Sequence, residues 1–90
     1  MDIWIEAARE AASRAVGGGG EAAFPRHIEA SIEEVSRIVA FRGRCPLCGK
    51  VLPTPRGYYL HLTRVHIREL AELIRSLSEG FVEGRRGGLV

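Results

Sequence analysis

Two cysteines and two histidines of this 90-residue chain fall in one segment, with the spacing Cys45-x2-Cys48-x12-His61-x4-His66. Cysteines three apart on a turn can present both sulfurs to one ion, and histidines about a helical turn apart can complete a tetrahedron. Gly49 follows the second cysteine and suits the sharp knuckle that aims backbone N–H groups at thiolates. Two thiolates and two imidazoles suit zinc better than other divalent ions. With four protein donors such an ion is structural, because no position is left for a water to be activated. The competing chemistry is thiol exchange, since Cys45-Pro46-Leu47-Cys48 alone looks like a glutaredoxin-type site. That motif needs a buried strand before it and a helix running through it. The chain has no such strand pattern, and Pro53 with Pro55 prevents such a helix. One zinc ion is therefore expected on Cys45, Cys48, His61 and His66. No other nucleophile–base pair stands out, so an enzyme is not expected.

Over residues 43–66 the chain resembles the Cys2His2 zinc finger family. Beyond the four ligands, Leu52 stands four positions after the second cysteine and Tyr58 three before the first histidine. Family fingers place the apolar residues of their miniature core at those two positions. The resemblance implies a short hairpin followed by a helix, and a helix that meets DNA. The reading positions of a finger helix fall on Thr54, Arg56, Gly57 and Leu60. Only Arg56 is a good base reader, as a bidentate donor to guanine. The family's basic linker after the second histidine is missing, and there is one finger only. Within that family the chain resembles the short Cys2His2 finger proteins of archaea and their viruses.

Three helices must position this segment. From Asp2 to Val16, Trp4, Ile5, Ala8, Ala11, Ala12 and Ala15 share one side of a helical wheel. Gly17–Gly20 end that helix and form a linker. A second helix is expected from Pro25 to Ala40, with a stripe of Ile28, Ile32, Val35, Ile38 and Val39. The third begins at Thr54, a good N-cap, with Pro55 at its first position, and should end at Gly80. Histidines five apart stand about 140° apart on an ideal helix, so this helix should deform near Thr63–His66 and resume at Ile67. Beyond it, Ile67, Leu70, Leu73, Ile74 and Leu77 form a stripe that needs a cover, from the first two helices or from a second copy in a homodimer. The expected fold is small and mainly α: one ββα zinc finger with an extended C-terminal helix, packed with two N-terminal amphipathic helices. Its parts are an N-terminal helical segment (1–42), the finger (43–66), a helix extension (67–80) and a flexible tail (81–90).

Charge is segregated along the chain. The net charge of +2 hides −3 over residues 1–40, +6 over 41–68 and −1 over 69–90. The basic block contains Arg42, Arg44, Lys50, Arg56, Arg64 and Arg68 and no acid. Blocks of this kind often face phosphate. With Thr54 and Leu60 they are the candidate nucleic-acid contacts, and Arg56, Leu60, Arg64 and Arg68 recur every four residues. Duplex DNA, bound with little sequence selectivity in a regulatory or architectural role, is the expected partner. A protein partner is the alternative, as is RNA, on which Tyr59 could stack. No apolar run is long enough for a bilayer, and the acid-containing N-terminus is unlike a signal peptide. An intracellular, cytoplasmic protein is expected. The chain lacks Asn and Gln and holds twelve Arg against one Lys. Absence of thermolabile amides is a habit of heat-adapted proteins, although a GC-rich genome explains the Arg bias equally well.

Overall fold

The computed structural model describes the backbone of residues 2–20 and 22–87, and side chains as far as residue 80. Four helices follow one another: α1 (Ile3–Ala15), α2 (Arg26–Ile38), α3 (Pro55–Val65) and α4 (Ile67–Gly87). Two of the starts are capped by a side chain. The Asp2 carboxylate accepts the Trp4 N–H at 2.9 Å, which caps α1. Thr54 Oγ1 accepts the Gly57 N–H at 3.1 Å and Pro55 takes the first position of α3. Arg26 begins α2 directly after Pro25, with no side-chain cap.

The long α4 is the spine, packed against α1 and α2, while α1 also meets α2 and α3. The buried face of α1 is all alanine: Ala7, Ala8, Ala11, Ala12 and Ala15. Small side chains let neighbouring helices approach closely, and the bulk of the core comes from those neighbours. Ile28, Ile32, Val35 and Val39 supply it around α2, Tyr58 and Leu62 on α3, and Leu70 and Ile74 on α4. Trp4 and Ile5, expected on the core face of α1, are only half-buried against it. Ile38, expected in the α2 stripe, lies at its edge in the last turn and is 51% exposed.

Two expectations are corrected. The hairpin of a ββα finger is not formed. Among the described residues there is no strand, only one antiparallel bridge, Arg44 with Val51. The Leu52 N–H reaches Gly43 O and the Cys45 N–H reaches Lys50 O, both at 2.8 Å. The knuckle from Cys45 to Gly49 uses the residues that a longer ladder would need, and Pro53 has no N–H to extend it. Secondly, Gly80 does not end the last helix, which runs to Gly87. A glycine inside a helix costs only about 1 kcal/mol relative to alanine, and no proline follows to stop the chain. The loose tail expected over 81–90 is thus helical as far as Gly87, and Gly88–Val90 lie outside the described residues.

The break expected in the long helix is present. His66 ends α3 with φ −112° and ψ 11°. Its N–H still donates to Leu62 O at 3.1 Å, and its carbonyl accepts from Leu70 N at 2.9 Å. The two helices therefore meet at a bend in a nearly continuous ladder. No helix among the described residues is long and apolar enough to cross a membrane.

One charge network clamps α1 to α2. Arg14 Nε donates to Glu10 at 2.8 Å, and its two terminal nitrogens both engage the Glu29 carboxylate. Hydrogen bonds from Arg14 hold the Glu29 carboxyl below its ordinary pKa, against a smaller effect of burial. A depressed carboxyl contributes stability above its unfolded pKa and loses it as pH falls through the folded value. Glu29 is a third exposed, so solvent screening limits the contribution to about 1 kcal/mol or less. Melting temperature should drop as pH falls below about 4, near the carboxylate range. Glu29→Gln should flatten that part of the profile; an unaltered profile would show that the clamp contributes nothing.

Candidate metal centre

The knuckle is built by backbone geometry. Gly49 adopts φ 81°, a left-handed conformation that favours glycine, and its N–H donates to Cys45 O at 2.8 Å. Arg44 reaches across to donate to Gly49 O at 3.0 Å. This winding points the N–H groups of Leu47 and Cys48 at the Cys45 sulfur, and that of Lys50 at the Cys48 sulfur. Burial pushes the Cys45 thiol up. The Lys50 N–H, followed by His66, draws the exposed Cys48 thiol down to about 6. Cys48 is then a thiolate at neutral pH, the form that binds metal.

The other two donors come from α3 and from the bend that ends it. His61 is on α3, and His66 at the bend is 4% exposed. The four donor atoms of Cys45, Cys48, His61 and His66 all lie within 4.8 Å of one another. Cys48 Sγ stands 3.3 Å from His61 Nε2, and the two Nε2 atoms are 3.1 Å apart. A tetrahedral zinc site has edges of about 3.3 Å between nitrogens, about 3.5 Å between sulfur and nitrogen and about 3.8 Å between sulfurs, from bonds of about 2.0–2.3 Å. The two short separations are close to such edges, and the four donors together could hold a metal ion. The bend at His66 is what lets two histidines five apart face one point.

Behind the donors, Tyr58 is fully buried, and its hydroxyl donates to Val39 O at 2.5 Å. Burial pushes that hydroxyl's pKa up to about 12, so it stays a donor. Phe41 packs on the same ring with centroids 5.8 Å apart. Leu52, the other apolar position of the finger resemblance, is half-buried against the core. Cys45, Tyr58 and Leu62 belong to the same buried cluster as the alanines of α1 and the isoleucines of α2. The Cys/His segment and the helical segment share one core.

Glu69 was not among the sequence candidates. It lies 2.7 Å from His66 Nδ1 through its Oε1. Burial opposes a charge on His66, and Glu69 and Cys48 together outweigh it, leaving the imidazole with a raised pKa. The signal was present as an acid three residues after a ligand histidine, at the spacing that puts two side chains on one helix face.

The proposed nucleic-acid contacts divide into groups. Arg56, Leu60 and Arg64 run along α3 about 180° around the helix from its buried residues Tyr58 and Leu62. Both arginines are exposed and Leu60 is half-buried. Arg42, Arg44 and Lys50 are exposed around the knuckle. Thr54 is exposed, but its hydroxyl oxygen is engaged as the α3 cap. Arg68 is also exposed, beyond the bend, where it borders a hollow between α1 and α4 with Trp4, Ile5 and Arg75. The bend at His66 separates it from the row on α3.

The stripe offered for a homodimer is largely used within the chain. Leu70 and Ile74 are fully buried, and Ile67, Leu73 and Leu77 pack partly against the same core. Helices α1 and α2 supply the cover. Comparison with protein-family models, curated proteins and solved structures found no significant match to the chain.

Proposed function

We propose that this chain is a zinc-stabilised nucleic-acid-binding protein that lays α3 against duplex DNA, with phosphate contacts dominating and little base selectivity. The observation that supports it most is the direction of α3. Its apolar side is taken up by the core, so Arg56 and Arg64 are turned outward, with the half-buried Leu60 between them, within a block of chain that holds no acid. Phosphate contacts supply most of non-specific affinity, and arginine is suited to phosphate by its fork of donors. Zinc at Cys45, Cys48, His61 and His66 supplies structure and no chemistry, because protein donors fill a tetrahedral set. The knuckle then carries Arg42, Arg44 and Lys50 toward the same partner.

The RNA reading is weaker, because Tyr59, its stacking residue, is half-buried against the core. A homodimer through the α4 stripe is weaker for the same kind of reason. Binding to duplex DNA, single strands and structured RNA should be measured across a salt series. Duplex binding should weaken steeply with salt. Arg56→Ala with Arg64→Ala should reduce the slope of log K against log salt by about two, about one for each phosphate left without its arginine. The weakening should be similar for unrelated duplex sequences, with any guanine preference removed by Arg56→Ala alone. No duplex binding at low salt, or a double variant equal to the parent, would overturn the reading. A preference for single strands or structured RNA would move the partner from DNA to RNA.

A further inference from the structure

A histidine can bind a metal through either ring nitrogen, and the bond made by the other nitrogen selects which. For His66 that choice is visible. Its Nε2 faces the donor cluster, 3.1 Å from His61 Nε2, and its Nδ1 lies 2.7 Å from Glu69 Oε1. An ionised carboxylate can only accept, so Nδ1 is the nitrogen that donates to Glu69, and Nε2 is the one left facing the cluster to bind a metal. His66 is 4% exposed, so bulk water is poorly placed to take over this role. Glu69 itself comes from the first turn of α4, three residues past the bend.

We infer that Glu69 is a positioning residue for the metal centre. It fixes the tautomer and ring orientation of His66, and it ties that ligand to the start of the helix packed on both α1 and α2. Outer carboxylates on ligand histidines raise ligand basicity, and removing them commonly weakens metal binding about 10–100-fold. The other acids of the described part of α4 differ. Glu79 pairs with Arg75, and Glu72 is exposed on the hollow beside Arg68. The inference rests on the metal-centre reading, and its test separates the two.

Zinc affinity should be measured by chelator competition on the full chain, for the parent and for Glu69→Ala, Glu69→Gln and Glu72→Ala. Glu69→Ala should bind zinc about 10–100-fold more weakly. Glu69→Gln should fall between, because its amide oxygen still accepts from Nδ1–H without the charge. Glu72→Ala, which removes a charge from the same helix, should match the parent within about twofold, as an acid away from the ligand shell. In zinc-loaded protein, the His66 Nδ1–H signal should be protected from exchange with water in the parent and exchange faster in Glu69→Ala. A Glu69→Ala variant with parental affinity and parental exchange would overturn the role of Glu69 while leaving the metal site standing. So would an equal weakening in Glu72→Ala, which would mark a general effect of helix charge. A parent that binds no zinc would remove the metal-centre reading itself.

Discussion

Removing the proposed zinc from Cys45, Cys48, His61 and His66 should unfold this protein well beyond the segment that holds it. Structural zinc contributes on the order of 10 kcal/mol in finger peptides at neutral pH, comparable with the whole stability of a domain, about 5–15 kcal/mol. Cys45, Tyr58 and Leu62 sit in one buried cluster with Ala11, Ile32 and Val35. Loss of the knuckle therefore opens the core between α1, α2 and α3. Treatment with a strong chelator, or Cys45→Ser, should strip regular structure from residues 43–66 and lower the helical signal of the remainder. Circular dichroism and thermal melting, with zinc content measured on the same samples, would follow it. His66→Ala should behave like Cys45→Ser, since it removes a ligand and the partner of Glu69 together. Unchanged spectra and melting after verified metal removal would show that the four residues do not form a structural site.

Tyr58 should be the most costly single side chain outside the ligands. Its ring is fully buried, packs beside Phe41 and closes the space between α3 and the end of α2. Truncation of a buried aromatic to alanine typically costs about 3–5 kcal/mol, so Tyr58→Ala should melt far below the parent even with saturating zinc. Tyr58→Phe isolates the hydroxyl. It keeps the ring and leaves the Val39 carbonyl without the 2.5 Å bond it now accepts, at a cost of about 1–3 kcal/mol. Denaturant melts of both variants in zinc-saturated buffer provide the measurement. If Tyr58→Ala were destabilised by less than about 1 kcal/mol, below the cost of any buried aromatic, the Cys/His segment and the helices could not share a core.

What could be read from the chain alone was whatever depends on local chemistry. Donor types at fixed spacing identified Cys45, Cys48, His61 and His66 as one group, because ligand geometry is short-ranged. Thr54 marked the start of α3, because a cap is formed within three residues. The bend at His66 also followed from local arithmetic, since two histidines five apart cannot meet one ion on a straight helix. Local rules misjudged Gly80, where the small helical cost of glycine was not enough to end α4. They also overestimated the hairpin, because the knuckle and Pro53 left only the Arg44–Val51 bridge. Tertiary packing decided the rest. It chose among the apolar residues of α1, burying the alanines while Trp4 and Ile5 stayed half-buried, because close helix approach selects small side chains. Packing also answered what covers Leu70 and Ile74, a question an amphipathic stripe leaves open, since the same stripe fits a neighbouring helix or a second chain. Glu69 became a partner of His66 only once the bend had set α4 against the metal segment. The outward direction of Arg56 and Arg64 was decided in the same way, by the burial of Tyr58 and Leu62 on the opposite side of α3.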